Sequence, residues 1–170
     1  MNDTNLRDTV SKLAQVDIEK AIKVSKKIIQ PWFRAQALAH IARYIESTKV
    51  IKIANEAKKT ANECDDDYKK SSVRAWEIVA LSERGLKKEA EKSLNEAVKL
   101  AVNIEPLSSK CEALFNLFQA SCHINMEIAK KVYKRMESMC SIEKHWRAKR
   151  AIKNANKILA GEDIAREYFW

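Results

Sequence analysis

The sequence predicts an all-α fold of helix pairs repeated along the chain, and three observations carry that expectation. Glycine and proline number two each in 170 residues, against an average usage of about 12% for the pair. A β-sandwich needs turn residues roughly every 8–12 positions, so that class is excluded. Next, Ala37, Ala75, Ala113 and Ala151 recur every 38 residues, each followed by a large apolar side chain (Leu38, Trp76, Leu114, Ile152). Four positions past each lie Ile41, Val79, Leu117 and Ala155, which completes one helical stripe per copy. Finally, a second series with Ala21, Ala54, Ala90 and Ala129 falls between these helices.

Taken in order, the first helix covers about 4–15, with Leu6, Val10 and Leu13 on one side, and pairs with 17–29. Pro31 suits the first turn of the next helix, 32–46, whose partner runs over 49–62. Asp65, Asp66 and Asp67 oppose the positive end of a helix over 69–84. Gly85 closes that helix and opens its partner, 87–103. Ser109 and Glu112 form a capping box for 107–122, and Asn125 caps 126–139. A ninth helix, 144–160, ends at Gly161 and leaves a stub, 162–170. The units are therefore about 4–29, 32–62, 69–103, 107–139 and 144–170 of a single domain.

The stretch Ala-Leu-x-x-Ile-Ala (Ala37 to Ala42), followed twelve residues later by Ala54, resembles a tetratricopeptide unit. Gly85-x-x-x-x-Ala90-x-x-x-Leu94-x-x-Ala97 is similar to the second half of that motif. The resemblance covers nearly the whole chain, with a period of 38 where the family's is about 34. It implies a right-handed αα superhelix, a tetratricopeptide-like solenoid of about nine helices plus a C-terminal stub. Solenoid ends must be capped, and Ile164, Tyr168, Phe169 and Trp170 are expected to fold back over Ile152, Ala155 and Leu159. Docking of that apolar end onto a second copy or a partner is the alternative.

Thirty-two Lys+Arg against 23 Asp+Glu give a formal charge of +9. Residues 126–158 hold ten basic side chains and three acidic ones, a net +7 that favours acidic partners. Gly85 and Gly161 stand too far apart for a phosphate-cradling loop. Histidines 40, 123 and 145 lie in separate segments, and no CxxC spacing exists. No metal, no cofactor and no catalytic constellation is expected. Without an export signal or an 18-residue apolar run, a cytoplasmic protein with no membrane span is expected, its four cysteines reduced. Trp32, Phe33, Trp76, Phe115, Phe118, Tyr133 and Trp146 read as packing residues.

In repeats of the resembled type, the first helices line the concave surface. A 38-residue shift then generates three columns: Gln36, Arg74, Glu112 and Arg150; His40, Ile78, Asn116 and Asn154; Arg43, Leu81, Gln119 and Lys157. Arg and Asn/Gln grip peptide backbones and carboxylates through fork donors and amides. The candidate partner-binding set is Gln36, His40, Arg43, Arg74, Glu77, Asn116, Gln119, Arg150, Asn154 and Lys157. The expected function is a non-catalytic protein-interaction scaffold that binds an acidic peptide or protein segment. The alternative is RNA binding through the basic C-terminal hairpin, where Lys149, Lys153 and Lys157 form a ridge.

Overall fold

Helices α1 (Asp3–Leu13), α2 (Ile18–Ser25), α3 (Pro31–Tyr44), α4 (Val50–Ala61) and α5 (Asp67–Ser72) open the computed structural model, which describes residues 2–142 and 144–169. They are followed by α6 (Arg74–Glu83), α7 (Lys87–Ala101), α8 (Leu107–Cys122), α9 (Met126–Cys140) and α10 (Trp146–Leu159). Among the described residues there is no strand, and the fold is all-α. With α5 and α6 taken as one rod interrupted at Val73, the α-helices among the described residues number nine, as the sequence predicts.

The local signals act largely where they stand. Side chains of Asn2, Asp17, Asp66 and Asn125 accept from the backbone N–H three residues on and cap α1, α2, α5 and α9. Pro31 starts α3. Gly85 and Gly161 sit at φ +75° and +74°. Each closes its helix with the double bond of a Schellman turn: Leu86 N–H to Leu81 C=O and Gly85 N–H to Ser82 C=O, then Glu162 N–H to Lys157 C=O and Gly161 N–H to Ile158 C=O. The capping box expected at Ser109 does not form. Helix α8 starts two residues earlier, after Pro106, so Ser109 lies inside it and Glu112 is free to pair with α10.

The first helices form the inner layer. Helix α1 packs on α3, α3 on α6, α5 and α6 on α8, and α8 on α10. Helices α2, α4, α7 and α9 lie outside and pack mainly onto inner helices, with Lys58 on α4 ion-paired to Glu96 on α7. Consequently α3 and α6 are enclosed on nearly every side. All eight residues from Ala35 to Ala42 are buried, and so are all nine from Arg74 to Ser82. Small alanines permit that close approach, and polar residues caught there must pair with each other.

Arg74 and Glu77 are such a pair, 1% and 2% exposed. Arg74 Nε donates to Glu77 Oε1 at 3.0 Å, and its guanidinium also donates to Ser93 on α7, whose hydroxyl donates to Glu77. Burial pushes the Glu77 carboxyl above its ordinary range, and the Arg74 charge opposes that shift. The expectation that four reduced thiols populate the chain is corrected: Cys111 and Cys140 form a disulfide with Cα atoms 5.8 Å apart. The antiparallel α8–α9 hairpin brings the start of one helix to the end of the other. Cys64 and Cys122 stay free, and burial raises the Cys122 thiol to about 11.

Removing one partner of the buried pair strands the other. Arg74→Ala is expected to lower unfolding free energy by about 3–5 kcal/mol in urea denaturation, with much of it recovered by Arg74→Met plus Glu77→Leu. A loss under about 1 kcal/mol would show that the pair is not desolvated. For the disulfide, thiol titration of the unfolded chain should count two thiols before reduction and four after. Reduction should also cost roughly 3 kcal/mol of stability for a loop of this size.

Candidate functional site

The inner faces of α1, α3, α5, α6, α8 and α10 enclose a trough, and the C-terminal segment lies in it. After the Gly161 turn the chain leaves α10 without regular secondary structure and crosses α8, α6 and α3 in that order. Arg166 N–H donates to Gln119 Oε1 at 3.1 Å, and the Arg166 carbonyl lies 2.9 Å from His123 Nε2. The Tyr168 hydroxyl donates to Asn116, shared between its backbone carbonyl at 2.6 Å and its Oδ1 at 2.8 Å. Tyr168 is fully buried, edge-on to Trp76 with ring centres 5.2 Å apart. Phe169 packs edge-on against His40 at 4.8 Å, and the Arg43 guanidinium sits 4.2 Å over its ring.

Asn116 holds this arrangement together. At the α5–α6 break, Trp76 N–H bonds Val73 C=O instead of Ser72 C=O. The Ser72 carbonyl is thereby available to Asn116 Nδ2, which donates to it at 2.8 Å. That bond points Asn116 Oδ1 at Tyr168.

The tail thus folds back onto its own chain, but not as the cap expected from the sequence, of which Trp170 lies outside the described residues. Ile164 is 78% exposed, and the polar and ring contacts of residues 166–169 go to α3, α6, α8 and His123. The face of α10 bearing Ile152, Asn156 and Ala160 keeps an open hollow of about 630 Å3. The Schellman turn at Gly161 directs the chain toward the inner face, where an enclosed aromatic pocket waits for Tyr168.

Of the ten residues singled out in the sequence, His40, Arg43, Asn116 and Gln119 meet the tail. Gln36 is buried at its edge and accepts from Arg7 at 3.0 Å. Arg150 pairs with Glu112 at 3.1 Å beside the open part of the trough. Arg74 and Glu77 are corrected: they face α7 and are sealed from any partner. Lys157 lines the hollow behind α10, and Asn154 is half-buried. The 38-residue columns fail on α6, where Trp76 stands with Gln36 and Asn116, two positions past Arg74. Two residues at about 100° each turn a side chain nearly to the opposite face.

Beyond the tail, the trough stays open as a hollow of about 390 Å3. Its lining includes Arg7, Trp76, Glu112, Arg147, Arg150 and Arg166. No family model, no curated protein and no solved structure matches the chain. The site therefore stands on its own geometry. Among the described residues no group of three or more His, Cys, Asp or Glu is placed to hold a metal, and no helix is long and apolar enough to cross a membrane.

The sequence reading missed Trp76, Arg166, Tyr168 and Phe169 as site residues, although the aromatic run at 168–170 was the available signal. Trp146, expected in the core, is 57% exposed under the Arg150 guanidinium. Burial, then the Arg43 and Arg7 charges, lower the His40 pKa to about 4. Its neutral form therefore favours the fold above pH 6.5, and that stability is lost as pH falls toward 4.

The Tyr168 hydroxyl contributes about 1 kcal/mol to tail docking. Tyr168→Phe is expected to speed tryptic cleavage after Arg166 about fivefold with helical circular dichroism unchanged. An unaltered cleavage rate would mean that the Asn116 contact does not hold the tail.

Proposed function

We propose that the chain is a non-catalytic protein-interaction module that binds a peptide segment of an acidic partner along its inner trough. One observation carries the reading: the trough already holds a peptide. Two of its contacts, from Gln119 and His123, go to the tail's backbone, which any sequence offers. The aromatic pocket adds selectivity, and the open remainder has an excess of arginine suited to carboxylates. A tetratricopeptide-like right-handed superhelix is the architecture that we infer for this arrangement, since inner helices packed in series leave one long face for a ligand.

The RNA reading draws on exposure instead. Lys130, Lys131, Lys134 and Arg135 on α9 and the ridge Lys149, Lys153 and Lys157 on α10 are all solvent-exposed. Their spread over the solvent faces of α9 and α10, away from the trough aromatics, suits a solvated surface better than base stacking.

A nonapeptide array probed with the purified chain is expected to select sequences rich in Asp and Glu. Arg147→Gln plus Arg150→Gln should weaken those spots about tenfold, because both guanidiniums border the open hollow. Selection of no peptide, or an array unchanged by the double substitution, would refute the trough as the binding surface.

A further inference from the structure

The docked tail carries a mismatch. Its aromatic pair fits: Tyr168 is enclosed by Trp76, His123 and Asn116, and Phe169 by His40 and Arg43. Its charge does not. Arg166 lines the open hollow together with Arg147, Arg150 and Arg7, the last held by Asp8 at 2.7 Å, and Glu112 is the one acidic residue among the described lining. Glu112 is already engaged by Arg147 and Arg150 at 3.7 and 3.1 Å. Arg166 is retained by contact with the Trp76 and Tyr168 rings, 5.1 and 5.3 Å away. An exposed contact of that kind amounts to a factor of about two to five in an equilibrium constant. Trp76 also keeps its buried Nε1–H without an acceptor among the described residues. A carboxylate arriving beside it would meet a donor and several cations at once.

We propose that residues 164–169 are an intramolecular stand-in for the partner, and that the true ligand is a peptide segment with two adjacent aromatic residues preceded, at the place of Arg166, by Asp or Glu. The aromatic pair of such a segment takes the pockets of Tyr168 and Phe169, and its carboxylate replaces a cation among cations. The tail then acts as a competitor that any partner must displace. This rests on the peptide-binding reading above and adds to it the ligand's pattern and its regulation. A tethered tail has an effective concentration in the millimolar range, so a free peptide of identical sequence competes poorly.

The test uses the full chain and two synthetic peptides, residues 162–170 and its R166E version, each labelled for fluorescence anisotropy. The R166E peptide is expected to bind at least tenfold more tightly than the tail peptide. It should also accelerate hydrogen exchange at residues 165–169 of the chain while α8 stays protected. In a chain carrying Y168A and F169A, whose own tail is released, both peptides should bind about tenfold more tightly than to the wild type. Equal affinity of the two peptides would overturn the acidic position. Binding without faster exchange of the tail would overturn displacement but leave peptide binding in place. Failure of both peptides to bind the double variant, with its helical circular dichroism intact, would overturn both readings. Should that variant lose its helical signal, exchange in the wild-type chain with the R166E peptide decides alone.

Discussion

The two central inner helices, α3 and α6, each pack against at least four others, and that constraint shapes the rest of the molecule. Helix α3 packs against α1, α2, α4 and α6, and α6 against α3, α4, α7 and α8. A helix so enclosed can carry no continuous polar face, and its residues must be small enough for backbones to approach. Ala35, Ala37, Ala39 and Ala42 meet that demand on α3, as Ala75 and Ala80 do on α6. Where the chain departs from it with charged or hydroxyl side chains on α6, these groups pair with neighbours. Arg74, Glu77 and Ser93 satisfy one another across α6 and α7, and the Ser82 hydroxyl donates to the His123 carbonyl at 2.6 Å. Buried polar groups that are fully paired fix one arrangement of neighbouring helices.

From the same enclosure follows the importance of the break at Val73. A straight rod over residues 67–83 would use the Ser72 carbonyl in its own helical ladder. The interruption releases that carbonyl, Asn116 takes it, and Asn116 in turn presents two acceptors to Tyr168. A backbone irregularity in one inner helix thus determines where the end of the chain binds, roughly a hundred residues later. The glycine at 161 supplies the other half, because its left-handed conformation turns the chain out of α10 and back across the inner layer.

The helix pairs were legible because their signals are local: capping side chains, glycine stops and alanine at fixed spacing. The inner-face columns were not, for a physical reason. On α6 nine consecutive residues are buried, so apolar periodicity no longer says which side faces the trough, and a two-residue error passes unseen. The Cys111–Cys140 bond was hidden because it depends on how the α8–α9 hairpin is registered, not on any spacing within one helix. Trp146 read as core from its phase, yet it stands at the exposed start of α10 with the Arg150 guanidinium over its ring. The tail was legible in part. Its aromatic content announces burial, but the receiving pocket is assembled from four helices far apart in sequence.

The energetics of the tail suit a ligand held ready to leave. Burying Tyr168 and Phe169 contributes roughly 2 kcal/mol each, and the three hydrogen bonds from Gln119, His123 and Asn116 about 1 kcal/mol each. Against these stands the ordering of residues 164–169, which costs about 1–2 kcal/mol per residue. The sums nearly cancel, so docking rests on a margin of a few kcal/mol at most. Release of the segment is then a local event that leaves the helices and their disulfide intact, and belongs to the low-stability end of the molecule. With a margin of about 1.4 kcal/mol, the trough stands open in roughly one molecule in ten. A competing peptide would bind with its affinity reduced by that factor. A binding face that would otherwise expose Trp76 and its aromatic pocket to every apolar surface is thereby reserved for ligands that bring more than the tail does.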